Sequence, residues 1–69
     1  MLFLFTNKNC PKCKKLKETL KEDYIEKDVD TDDGLVDYHF YNRNNRTELP
    51  MLIEVDEHEE YVRDLTDGL

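Results

Sequence analysis

Met1-Leu-Phe-Leu-Phe5, Thr6-Asn7-Lys8-Asn9 and Cys10-Pro11-Lys12-Cys13 follow one another at the start of this chain. An apolar run leads through a polar loop into a C-x-x-C unit, and that unit opens a helical pattern. Leu2–Phe5 is short, continuous and apolar, which is the signature of a buried strand. Pro11 suits the first position of a helix, where a backbone N–H has no intrahelical partner anyway. Cys13, Leu16 and Leu20 recur at spacings of three and four and so form one apolar stripe. The pattern predicts a helix from about Pro11 to Lys21. A strand, a loop and two cysteines at a helix start are the layout of a thiol–disulfide exchange site.

Working outward, Tyr24–Val29 reads as a second strand, with Ile25 and Val29 on one face. Asp30–Gly34 is a turn in which Asp32 or Asp33 supplies a helix N-cap. A second helix is expected from about Gly34 to Arg43, with Leu35, Val36, His39 and Phe40 on one stripe. Asn42–Asn45 contains residues that end helices. After Leu49-Pro50, Met51–Val55 is a third strand, Asp56-Glu57-His58 a hairpin turn and Glu59–Val62 a fourth strand. Asp64–Leu69 leaves room for one helical turn at most. The expected order is β-α-β-α-β-β: an α/β domain with a mixed four-stranded sheet, its first two strands parallel across a helix.

Sixty-nine residues make one domain with a modest core. Two cysteines are too few for the disulfide framework of a secreted domain. Their C-x-x-C spacing closes too short a loop to stabilise the fold by chain entropy. Chemistry is the better use for them. The apolar N-terminal run has neither the charged flank nor the cleavage site of a signal peptide, and nothing approaches the length of a membrane span. The expectation is a soluble, monomeric, cytoplasmic protein with no membrane partner. The net charge of −7 argues against a nucleic-acid binder. That charge is unevenly spread. Residues 1–27 carry seven Lys against four acidic residues, whereas residues 28–69 carry three Arg against thirteen. Lys8, Lys12 and Lys14 bracket the thiols.

The element order, Cys10-Pro-Lys-Cys13 at the head of the first helix, the strand ending Asp28-Val-Asp30, and Leu49-Pro50-Met51-Leu-Ile53 together resemble the glutaredoxins and the glutaredoxin-like electron donors to ribonucleotide reductase. The resemblance covers nearly the whole chain. It implies a thioredoxin-like fold and a dithiol oxidoreductase with Cys10 as nucleophile and Cys13 as resolving thiol. It also implies a cis peptide before Pro50, with the Leu49 backbone pairing to a substrate disulfide. Lys8, Pro11, Lys12, Leu49, Pro50 and Asp64 are the implied substrate contacts. Protein disulfides, with ribonucleotide reductase as the named candidate, are the implied substrates. Glutathione or a thioredoxin reductase is the implied electron source, and no bound cofactor is implied. The chain departs from the family at Glu48, where Thr is common, and at Lys12, where an aromatic is common. Tyr61–Asp64 lacks the family's glycine pair, and Asp64 stands nearest to its acidic glutathione contact.

The chemistry also follows from the residues. A thiolate is the attacking species, and the unpaired N–H groups and positive dipole end of a helix N-terminus favour one on Cys10. Cys13, one turn into the helix on the apolar stripe, is expected to be the more buried and less ionised sulfur. Two other readings compete. The C-x-x-C pair is half of a tetrahedral zinc or iron–sulfur set, to be completed by His39 and His58 or by a second copy. Alternatively, the chain is a non-catalytic redoxin-like binding module with an acidic partner surface.

Overall fold

The computed structural model describes residues 1–69. The elements are β1 (Leu2–Thr6), α1 (Pro11–Thr19), β2 (Tyr24–Asp28), α2 (Asp32–Tyr41), β3 (Met51–Val55), β4 (Tyr61–Asp64) and a closing 3-10 turn (Thr66–Gly68). The expected β-α-β-α-β-β order is present. The sheet runs β2-β1-β3-β4. β1 pairs parallel with β2, from Leu2 opposite Tyr24 to Thr6 opposite Asp28. It pairs antiparallel with β3, which pairs antiparallel with β4.

The two central strands carry the continuous apolar runs because they are covered on both sides. Phe3, Phe5, Met51, Ile53 and Val55 face one way and pack with Tyr41 and Tyr38 of α2. Leu2, Leu4 and Leu52 face the other way and pack with Leu16 of α1 and with Leu20 just beyond it. The helices therefore sit on opposite faces of a small α/β sheet.

Several boundaries differ from the sequence expectation. α1 stops at Thr19, not Lys21. Leu20 leaves the helix in an extended conformation (φ −73°, ψ 115°) and packs against the leucine face of the sheet. β2 stops at Asp28, and Ile25 does not share a buried face with Val29. Ile25 is exposed on an edge strand, while Val29, beyond the strand, packs on the phenylalanine face. β4 begins at Tyr61, two residues late, because the hairpin connection is longer than expected. Asp56 Oδ1 accepts from the N–H groups of both His58 (2.8 Å) and Glu60 (3.0 Å), and Glu59 takes a positive φ of 60°.

α2 departs most. Its cap is Thr31, whose Oγ1 accepts from Gly34 N–H at 3.0 Å. Asp32 and Asp33 instead occupy the first turn, where negative charge suits the helix dipole. Its buried face is Gly34, Tyr38 and Tyr41, while the expected stripe of Leu35, Val36, His39 and Phe40 faces out. Gly34 causes this rotation. Its backbone lies so close to β2 that an added Cβ would be 2.6 Å from the Asp28 carbonyl carbon and closer still to its oxygen. The tyrosines can then serve as core because their hydroxyls find acceptors: Tyr38 donates to Arg46 C=O at 2.9 Å, and Tyr41 donates to Glu59 C=O.

Candidate functional site

The site forms where β1 delivers the chain to α1. Thr6 ends the strand fully buried, and Asn7 turns the loop by accepting from Asn9 N–H at 3.1 Å. Cys10 is the N-cap of α1, extended at φ −124° and ψ 95°. Its Sγ accepts from Cys13 N–H at 3.1 Å, the role usually filled by a Ser or Asp oxygen. Pro11 holds the first helical position. Cys10 and Cys13 form a disulfide, with their Cα atoms 5.2 Å apart. The sulfurs are unequal in access, as the stripe predicts. Cys13 is 1% exposed on the inner face of α1, whereas Cys10 is half-buried. The first turn of α1 contains no acidic residue. The Cys10 sulfur thus stands at the N-terminal end of α1, against the Cys13 N–H and between grooves that carry Lys8, Lys12 and Lys14.

Two grooves meet at Cys10. One lies on the β2 side, where Lys8, Pro11, Lys14 and the Lys17–Glu26 pair line it. Lys17 Nζ is 3.0 Å from Glu26 Oε2, and Thr6 donates to the same oxygen at 2.6 Å. The Thr6 hydroxyl first and the Lys17 ammonium second hold the Glu26 carboxyl below the usual carboxylate range. Lys17 is raised in turn, chiefly by its bond to Glu26. The other groove passes Cys10, Pro11 and Lys12 to reach Thr47, Glu48 and Leu49. It continues past Pro50 and Arg46 toward Thr66 and Asp67. The Leu49–Pro50 peptide is cis.

Lys8, Pro11, Lys12, Leu49 and Pro50 thus stand around the disulfide or along the grooves that meet it. Asp64 stands apart. Its side chain is only 3% exposed and accepts from Arg46 Nε (2.7 Å), Asn44 Nδ2 (3.2 Å) and Thr66 N–H (2.8 Å). Burial pushes its carboxyl up, but the Arg46 and Thr66 hydrogen bonds outweigh that and hold it below the usual range. Its carboxylate is engaged inside the fold, and the acidic residues that line the groove are Glu48 and Asp67.

Sequence reasoning passed over the residues that hold the Asn42–Pro50 segment in place. Arg46 C=O accepts from Tyr38 Oη and from Asn42 Nδ2 (2.8 Å), while Arg46 N–H donates to Asn42 Oδ1 (2.8 Å). Its guanidinium spans Asp64 and Asp67, the latter at 3.1 Å. The only sequence signal was the density of turn-forming residues in Asn42-Arg-Asn-Asn-Arg46 ahead of Leu49-Pro50. No three His, Cys, Asp or Glu side chains gather into a metal-ligand set. His39 is exposed on α2, and His58 is exposed at the hairpin beside Glu57, 3.6 Å away. No helix is long and apolar enough to cross a membrane. The chain matches no family model, no curated protein and no solved structure.

Proposed function

We propose that this chain is a small glutaredoxin-like dithiol oxidoreductase with a thioredoxin-like fold, acting on protein disulfides. The observation that carries the reading is the inequality of the two bonded sulfurs. Cys10 is accessible, caps a helix and sits between two grooves, whereas Cys13 is buried one turn behind it. The sheet order β2-β1-β3-β4 and the Leu49–Pro50 segment beside Cys10 support the same reading.

In the reduced protein the Cys10 thiolate attacks one sulfur of a substrate disulfide. A mixed disulfide forms, and the other substrate sulfur leaves as a thiolate that takes up a proton. Cys13, once deprotonated, attacks Cys10 and releases the second substrate thiol. Two electrons and two protons pass to the substrate, and Cys10–Cys13 is left oxidised. Glutathione or a thioredoxin reductase restores the dithiol. Ribonucleotide reductase is the candidate partner, and the cytoplasm is the compartment that would keep the dithiol reduced.

The test is reduction of an insulin-type protein disulfide, with glutathione plus its reductase in one arm and a thioredoxin reductase in the other. Turnover in either arm, abolished in Cys10→Ser, is the expected result. No turnover in both arms overturns the proposal.

A further inference from the structure

We infer that this site selects disulfides whose flanking residues are acidic, with Lys8 and Lys14 as the recognising charges. The inference rests on the redox reading above and names its substrate class. Between Asn7 and Lys21 the chain places six lysines and one acidic residue, Glu18, although its net charge is −7. The lysines are not equivalent. Lys17 is neutralised by Glu26 at 3.0 Å, whereas Lys8 and Lys14 line the same groove without an ion-pair partner. Asp28 lines the groove too and accepts from Asp30 N–H at 2.8 Å, so three lysines face two carboxylates and the groove keeps a net positive charge of one.

Apart from Cys10 and Pro11, every residue lining this groove is polar or charged. It offers a bound segment charge complementarity along the aliphatic stems of its lysines. The groove on the other side of Cys10 pairs one cation, Lys12, with one anion, Glu48, and carries no such bias. The accessible sulfur therefore has a cationic flank and a balanced flank. A protein segment with Asp or Glu beside its disulfide fits the first. Nucleic acid also carries negative charge, but it has no disulfide to present to the sulfur between the grooves.

The experiment uses the pre-reduced protein and three synthetic peptides containing one common disulfide loop, flanked by Glu, by Ser or by Lys. The second-order rate of a single turnover is measured at low and at physiological ionic strength. The Glu peptide is expected to react roughly ten times faster than the Lys peptide at low salt, the lower end of electrostatic steering. The gap should narrow as the Debye length shortens to about 8 Å. Lys8→Glu with Lys14→Glu should invert the order. Lys21→Glu with Arg63→Glu makes the same change in net charge away from the grooves and should preserve it. Because each ratio compares peptides on one protein, changes in Cys10 reactivity cancel. Equal rates for the three peptides, or equal loss of preference in both double variants, overturns the charge selection and leaves the redox reading standing. Failure to reduce any of the peptides removes both.

Discussion

Replacing Gly34 with Ala sets two calculable effects against each other. In an exposed helix interior the change gains about 1 kcal/mol of helix propensity, and no positive φ forbids it, since neither glycine has one. Against that gain, the new Cβ would lie 2.6 Å from the Asp28 carbonyl carbon and overlap its oxygen. The obstruction is backbone, so no side-chain rotation relieves it. Overpacking of this kind costs about 1–3 kcal/mol. The Asp28 carbonyl also accepts from Thr31 N–H (3.1 Å) and Thr31 Oγ1 (2.7 Å), and Thr31 caps α2. Moving it disturbs a cap worth about 1 kcal/mol. The clash wins, with an expected net loss of about 2 kcal/mol, or a fall in Tm of roughly 10 °C for a domain of this size. Urea unfolding of the oxidised protein measures it as a lower midpoint at unchanged slope. Gly68→Ala, where an added Cβ meets nothing within 4 Å, should stay within about 0.5 kcal/mol of the parent. A Gly34→Ala protein as stable as the parent would refute the view that this contact sets the rotation of α2.

Three further outcomes follow from the same geometry. Cys13→Ser should stop after the first exchange and accumulate a mixed disulfide on Cys10, visible by intact mass; full turnover in that variant excludes the dithiol route. Tyr38→Phe removes the hydroxyl that bonds the Arg46 carbonyl, which keeps Asn42 as a donor. A loss of about 1 kcal/mol is expected, together with slower reduction of substrate because that segment carries Leu49; an unchanged rate would free Leu49 from any part in capture. Glu26, Asp56 and Asp64 all have carboxyls held below their ordinary values. Such groups stabilise the fold above the ordinary carboxylate range, and that stability drains away as pH falls through the lowered values. Asp64→Asn should therefore be less stable than the parent at neutral pH and lose less on acidification. Parallel pH curves for the two proteins would remove Asp64 from the acid response.

The central strands and the cysteine unit were legible because each is a local pattern. Phe3–Phe5 and Met51–Ile53 are runs that only a doubly covered strand accommodates. Pro11 with the Cys13–Leu16–Leu20 spacing fixed both the start and the inner face of α1. α2 was misread because periodicity weighs side chains alone. Leu35, Val36 and Phe40 make the more apolar stripe, yet the close approach of Gly34 to Asp28 turns Tyr38 and Tyr41 inward. No hydropathy scale credits a tyrosine for an acceptor eighteen residues away, as Tyr41 has in Glu59. The Arg46 bridge was hidden for the same reason, since its acidic partners lie eighteen and twenty-one residues downstream.

The acidic surplus and the basic site are compatible because charge acts over a limited range. A reduced Cys10 adds an anion to a chain already at −7, and in a uniform field that would oppose thiolate formation. The molecule measures 29 × 26 × 19 Å, and exposed charges are largely screened beyond about 8 Å at physiological ionic strength. What Cys10 feels is set by its own surroundings: the Cys13 N–H at 3.1 Å, a first helical turn without acids, and Lys8, Lys12 and Lys14 along the adjoining grooves. The remote acids matter at longer range and lower salt, where they repel anionic partners from the acidic parts of the surface. On the proposed function, the same uneven distribution would favour a thiolate at Cys10 locally and orient an acidic substrate during encounter. Of these two effects, the second should fade more as salt is added, because steering acts over the Debye length whereas the Cys13 N–H acts on the sulfur at 3.1 Å.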